Sequence, residues 1–409
     1  MNDRRPTRAA APELVVLAAG VCAAMHVGKL PPALPVLRDA FGLTLVEAGF
    51  LLSLVQLAGM TAALFVGLAA DSLGGRRSML AGLGTLAIAS AAGGFADEAW
   101  QLMALRAVEG AGFLLTILPV PRILRAIVPP DRLQRELGLW GAFMPIGTAL
   151  ALLSGPWVMA LAGWQGLWWS LAALTALIAW WTAASVPGEA PRNEARSAWR
   201  SRLRVTLASP GPWLVALTFA MYSCQWMSII GFLPTIYAQG GLSVASAGML
   251  TALVSAANAA GNVAAGRVLH RGARPGRVLA WAFAAMIVCA IGAFAFPELP
   301  LASRFLAVVL LSGVGGLIPG ALFNLAVDLA PGPQYVSTTV GWMQQFSAIG
   351  QFAGPPIVAW VASTAGGWQL TWTVTGAASL IGIALAMVIS RVYRNKKGAA
   401  SPLPPSVMP

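Results

Sequence analysis

His26 and Lys29 stand three residues apart in the apolar stretch VLAAGVCAAMHVGKLPPALPVL, residues 16–37. That spacing is close to one helical turn, so both groups share a face. An ammonium and an imidazole on one face suit a small anion by direct charge pairing. The imidazole also titrates near neutrality and can carry a proton. A second pair, Arg106 and Glu109, has the same spacing in LRAVEGAGF. Ionisable groups inside apolar helices are costly and point to function by default. We therefore read Arg106 and Glu109 as a proton-coupling or gating pair, with a structural ion pair at the rim as the plainer alternative. Lys29 has two alternatives as well: facing a cavity, or snorkelling outward past Pro31, Pro32 and Pro35.

The elements that position these residues are apolar helices. The chain has 409 residues and a mean hydropathy of +0.74. Only 10% of its residues are charged, against roughly 25% in soluble domains. A bilayer core of ~30 Å needs about 20 apolar helical residues. Runs of that kind cover 14–36, 45–69, 78–96, 100–121, 137–160 and 164–186, and then 211–237, 244–266, 278–296, 301–326, 335–361 and 367–392. The expected fold is therefore an all-α membrane protein of twelve transmembrane helices in two pseudo-symmetric six-helix bundles, residues 1–186 and 211–392. A basic linker, 187–210, separates them, and a tail, 393–409, follows. The linker segment SAWRSRLRVTL reads as an amphipathic helix on the inner leaflet or as a plain tether.

Of the 26 lysines and arginines, all but Lys29, Arg38, Arg106 and Arg304 fall on one side of this topology. By the positive-inside rule that side is cytoplasmic, both termini included. A bacterial inner membrane, multi-pass, is the expected location.

A net charge of +12 does not mark a nucleic-acid binder here, because the basic residues lie in short clusters between apolar runs. Cys22, Cys224 and Cys289 all sit in apolar runs without CxxC spacing, and the two histidines, His26 and His270, are far apart. Structural disulfides and a metal site are not expected. Arg4, Arg5 and Arg8 before an apolar run imitate a signal peptide, but the many later spans favour a retained helix. No phosphate-binding loop, cofactor motif, nucleophile constellation or soluble sensor domain is visible. The sequence argues against an enzyme, and ion-gradient coupling is the default energy source.

The halves repeat each other. Gly155-Pro156 recurs as Gly354-Pro355, 199 residues later, and GWQGLWW at 163–169 recurs as GWQLTW at 367–372. Arg106 is matched by Arg304. GLAADSLGGRR is loosely echoed by GRVLHRGARPGR. Such a duplication places a binding site between the halves near the midplane, with alternating access by rocking.

The stretch GLAADSLGGRRSML, 67–80, resembles the loop signature of the major facilitator superfamily at Gly67, Asp71, Gly75, Arg76 and Arg77, with Ser72 where a basic residue is usual. The resemblance implies a gating loop between spans two and three. LRAVEGAGF resembles the superfamily's span-four pattern, with Glu109 at the position often held by an amide. LLSGPWVMALAGW weakly resembles the glycine–proline motif of its antiporters. Gly155 and Pro156 fit, and Ala151 replaces a glycine. A packing kink is the plainer reading of this last stretch. Two further stretches, from Ala33 and from Gly231, are similar to the cyanate and nitroimidazole-type permeases.

In proteins of that superfamily, spans one, four, seven and ten line the cavity. The resemblance thus implies substrate-binding roles for His26, Lys29, Tyr222, Gln225, Trp226 and Asn324, with Gln344 and Gln345 from span eleven. It implies coupling roles for Arg106, Glu109 and His26. Asn258, Asn262, Gln351 and Asp328 are further polar residues in these helices, and about half of such amides serve only as interhelical bonds. The function expected is proton-coupled secondary transport of a small organic or inorganic anion by a monomer in contact with lipid, without a cofactor. The alternative is efflux of amphipathic or cationic compounds on the same fold.

Overall fold

A computed structural model describes residues 12–63, 74–188 and 199–399. Every regular element among the described residues is helical. Nine described helices are long and apolar enough to cross a membrane. One of them, Phe143–Ser185, has 43 residues, roughly 65 Å if straight. It breaks at Ala162 and at Gly163, where φ is +68°, at the expected boundary between spans five and six. Helices Gly75–Gly93 and Val336–Ala365 stand where spans three and eleven are expected and are richer in Gly, Ser, Thr or Gln.

The first membrane helix runs farther than its sequence suggests. It comprises α1, Pro12–Gly28, and α2, Leu30–Phe41, with a break at Lys29. Pro31 and Pro32 lack the N–H groups that would bond the carbonyls of Val27 and Gly28, so the ladder is interrupted there. The same prolines sit in the first turn of α2, where N–H groups need no helical partner. At the other end of span four, a short helix, Pro130–Trp140, precedes Phe143 and is separate from it. The linker contains a helix, Trp199–Ala208. Its Arg200, Arg202 and Arg204 are exposed, while Thr206 is buried.

Packing follows the duplication. Pro12–Gly28 lies along Phe143–Ser185, and Pro210–Gln239 lies along Val336–Ala365. Close approach of small residues, rather than hydrophobic transfer, holds helices together in lipid. At the end of the molecule away from the linker, the two halves meet in a matched pair of contacts. A side chain on Gly49 would collide with the Pro355-Pro356 backbone, and one on Gly248 would collide with Leu152 and Pro156. Gly49 and Gly248, and Pro156 and Pro355, are each 199 residues apart. The same offset relates the helix caps, in which the Thr44 and Ser243 hydroxyls accept from the N–H groups of Glu47 and Ser246, each at 3.2 Å. It also relates the preceding turns at Gly42 and Gly241, whose φ of +62° and +89° suits glycine. The GWQ copies sit at corresponding breaks, beside Gly163 and Gly366.

Candidate functional site

The break at Lys29 builds a polar cluster inside the first half. The helix end leaves the His26 carbonyl open, and Arg106 Nη1 donates to it at 2.8 Å. Glu109 stands at the centre. Its Oε1 accepts from Lys29 Nζ at 2.5 Å, and its Oε2 accepts from Arg106 Nη1 at 2.5 Å. Lys29 also donates to Ser90 Oγ at 2.9 Å, and Ser90 donates onward to the Trp168 carbonyl. The Lys29 ammonium lies 4.4 Å from the Trp168 ring centroid, in reach of a cation–π contact. His26 Nδ1 is 3.6 Å from Glu109 Oε1, and Nε2 is 2.7 Å from Thr175 Oγ1.

These ionisable groups are 0–1% exposed. Burial of charge at this depth is tolerated only with partners and hydrogen bonds in place. Two basic side chains, Lys29 and Arg106, share one carboxylate. The Nε and Nη2 atoms of Arg106 have no hydrogen-bond partner among the described residues. With Lys29 and Arg106 both protonated, the cluster holds one positive charge more than its carboxylate balances.

Two cavities lie outside this cluster, one between the halves and one within the second half. One, with about 450 Å³ of empty space, lies between the halves. Gln56, Phe113 and Phe143 line it from one side, and Gln344, Ser347 and Gln351 from the other. Gln56 Nε2 donates across it to Gln351 Oε1 at 3.0 Å. The second, much the smaller, is lined by Tyr222, Trp226, Asn258 and Ser312 among apolar side chains. Tyr222 and Asn258 bond each other there, while Trp226 Nε1 and Ser312 Oγ have no hydrogen-bond partner among the described residues. No charged side chain lines either cavity.

The expected site residues thus divide. His26, Lys29, Arg106 and Glu109 come together, but they line neither cavity. Lys29 takes neither of its two anticipated directions, since its ammonium turns inward onto Glu109. Tyr222, Trp226 and Gln344 line cavities. Gln225 turns instead to Ser379, whose hydroxyl donates to it at 2.9 Å. Gln345 donates to the Met60 carbonyl at 3.0 Å, joining the halves. Asn324 is exposed and bonds its own helix at Gly320. Arg304, the counterpart of Arg106, donates to the Ala293 carbonyl and pairs with no carboxylate among the described residues.

The chain matches the model of the Major Facilitator Superfamily over residues 16–355 and again over 215–408. It is a member of that superfamily. Among curated relatives it is 26% identical to the cyanate transport protein CynX of Escherichia coli over 349 residues, 83% of this chain and 87% of that protein. It is 27% identical to the 2-nitroimidazole transporter of the same species, with 88% of each covered. It is 26% identical to the gallate transporter of Pseudomonas putida, covering 84% and 83%. The chain is accordingly similar to the cyanate and nitroimidazole-type branch. A bacterial homolog of the human lysosomal transporter Spinster shares the fold at a TM-score of 0.78 and 16% identity, covering 94% of this chain and 97% of that one. A D-xylose-proton symporter does so at 0.72 and 15%, covering 92% and 96%.

Within the superfamily's loop signature, Gly67 and Asp71 lie outside the described residues. Gly75 opens helix Gly75–Gly93, after Gly74 with φ +87°. Arg77 is exposed. Arg76 Nη2 donates to the Ala183 carbonyl at 2.5 Å, near the end of helix Phe143–Ser185. There the last carbonyls lack helical donors and the dipole favours a cation. Arg76→Met is expected to lower stability by about 1 kcal/mol, read as a lower midpoint in denaturant unfolding. Arg76→Lys should recover part of that loss through charge alone.

Sequence reasoning missed Thr175, Ser90, Gln56 and Ser347. Thr175 and Ser90 are small hydroxyls in apolar helices, where most only bond their own backbone, so nothing in their local sequence sets them apart. Gln56 was legible, being an amide inside an apolar span like Gln351.

Proposed function

We propose that this secondary transporter of small solutes moves a small anion by alternating access, coupled to protons through Glu109 and His26. The observation that carries this reading is the buried excess of basic side chains over carboxylate in the first half, with Glu109 one helical turn from Phe113 in the lining of the larger cavity. In a low-dielectric interior such an excess attracts anions and repels cations over several ångströms. A proton entering with the solute would offset the anion's charge. The reading includes twelve spans, bundles at residues 1–186 and 211–392, and both termini on the cytoplasmic side of a bacterial inner membrane. The exposed Arg125, Arg135, Arg267, Arg271, Arg274 and Arg277 at the linker end support that orientation.

Uptake into proteoliposomes under an imposed pH gradient tests it, with cyanate, small carboxylates and neutral isosteres as substrates. Saturable uptake of an anion, accelerated by an inward proton gradient, is expected. Equal uptake of the neutral isostere, indifferent to the gradient, would overturn the reading. The uncharged, aromatic lining of the smaller cavity favours a second reading, efflux of amphipathic compounds. Export of cationic dyes that requires Glu109 would establish that one.

Tyr222 and Trp226 are one helical turn apart and face the smaller cavity. If that cavity holds solute in the substrate-loaded state, Trp226→Phe removes the unpartnered indole donor. An increase in KM of about tenfold is expected, the size of one lost hydrogen bond. Measured by initial uptake rates, the maximal rate and the pH dependence should remain.

A further inference from the structure

Thr175 Oγ1 makes three close contacts in the core of the first half. It donates to the Leu171 carbonyl at 2.7 Å, one turn back on its own helix. His26 Nε2 lies 2.7 Å away and Cys22 Sγ lies 3.3 Å away. A hydroxyl has one proton and two lone pairs. With its proton on the Leu171 carbonyl, Thr175 can only accept from its other two neighbours. A Thr175 proton on Nε2 would give the Nδ1–H ring, whereas on the Leu171 carbonyl it makes His26 Nε2 the donor and the neutral ring the Nε2–H tautomer. The other nitrogen, Nδ1, is left bare. It has no hydrogen-bond partner among the described residues and faces Glu109 Oε1 at 3.6 Å.

We propose that Thr175 is a positioning residue that holds His26 as the Nε2–H tautomer, so that Nδ1, facing Glu109, is the atom that takes up a proton. The inference rests on the reading of this cluster as the coupling site only for its link to transport. The tautomer itself follows from the placement of the Thr175 proton on the Leu171 carbonyl. One proton added to Nδ1 makes an imidazolium with both N–H groups in use, Nε2 on Thr175 and Nδ1 toward the carboxylate. Its release from the same atom restores the neutral ring.

Every ionisable group facing His26 enters the balance. Lys29 from the break, Arg106 and Glu109 from the fourth span, and Cys22 from the same helix through Thr175 all surround it. Lys29 and His26 address the same oxygen, Glu109 Oε1. Protonation of Nδ1 therefore competes with the Lys29 contact and adds a third cation to one carboxylate. A proton bound there weakens the Lys29–Glu109 bond, which links proton uptake to a change in the packing of spans one and four.

The chain has two histidines, His26 and His270, and His270 is exposed at the linker end. In a His270→Gln background, nitrogen NMR of ring-labelled histidine reads the tautomer of His26 alone. Above its titration the wild type should show a protonated Nε2 and a bare Nδ1. Thr175→Val, close in shape and without an acceptor, should move the proton to Nδ1 or give a mixture. Thr175→Ser should restore the wild-type pattern. In proteoliposomes, Thr175→Val should displace the pH profile of uptake while Thr175→Ser keeps it. A wild-type spectrum with the proton on Nδ1, or a valine variant with the wild-type tautomer, would overturn the proposal. An unchanged transport profile with the expected change in tautomer would instead overturn the role of His26 in coupling and leave the positioning by Thr175 intact.

Discussion

Glu109→Gln is expected to abolish proton-driven accumulation of solute and to lower the stability of the protein sharply. The carboxylate is the shared acceptor of Lys29 and Arg106, and these groups are essentially unexposed. An amide keeps the shape but removes the counter-charge, leaving two buried cations facing each other. Breaking a buried pair in this way costs about 3–5 kcal/mol. The same charge is the one that a coupling proton would meet, so uphill accumulation should fall by about 100-fold or more, the equivalent of ~3 kcal/mol. Downhill exchange of solute across the same membrane should persist in part, because neither cavity is lined by Glu109. The double variant Lys29→Met with Glu109→Gln removes one stranded cation together with its partner. It should be more stable than Glu109→Gln alone, with an interaction energy of about 1–3 kcal/mol in a double-mutant cycle. Full accumulation by Glu109→Gln, or a double variant no more stable than the single, would remove Glu109 from the centre of the site.

Membership of an all-helical transporter superfamily was legible because it rests on features that local sequence carries. Apolar runs of membrane length, a basic loop with set glycine spacing and a repeated Gly-Pro all survive without knowledge of packing. The spacing of His26 with Lys29 and of Arg106 with Glu109 placed each pair on one helix face. The resemblance put both faces on one cavity, but the sequence could not say that the two pairs meet on a single carboxylate. That depends on how Pro12–Gly28 crosses Ala99–Ile117, which is a property of packing between distant segments. The direction of Lys29 was lost for the same reason. Its nearest charged partner lies 80 residues away, and the prolines beside it suggested an exit from the membrane. In the structure Lys29 keeps helical φ and ψ and its N–H bonds the Met25 carbonyl, so it stays on the inward face that it shares with His26. Asn324 shows the converse. Its place in the tenth span made it a candidate, while its amide is spent on its own helix.

The second large effect concerns the end of the molecule away from the linker. There the halves touch through Gly49 on Pro355-Pro356 and through Gly248 on Leu152 and Pro156. An added methyl on Gly49 would stand 2.9 Å from Pro356 Cα, and one on Gly248 would stand 2.7 Å from the Leu152 carbonyl oxygen. Both obstacles are backbone, so relief requires the helices to part. Overpacking of this kind costs about 1–3 kcal/mol. In alternating access the cost falls on the conformation closed at this end and spares the one open there. A bias of that size shifts the ratio of the two states by roughly 5- to 150-fold. Gly49→Ala and Gly248→Ala should therefore each slow transport by about tenfold and populate the state open at this end. Spin labels at Asp39→Cys and Ala245→Cys, in a chain with Cys22, Cys224 and Cys289 replaced, would report it as a longer distance between the halves. Because the duplication makes the two contacts equivalent parts of one closure, whichever methyl is added first already parts the helices. The double variant should then cost little more than the worse single one, a departure from additivity that two unrelated packing defects would not produce. Fully additive losses, or label distances that do not move, would show that these glycines serve packing within the membrane and not closure between the halves.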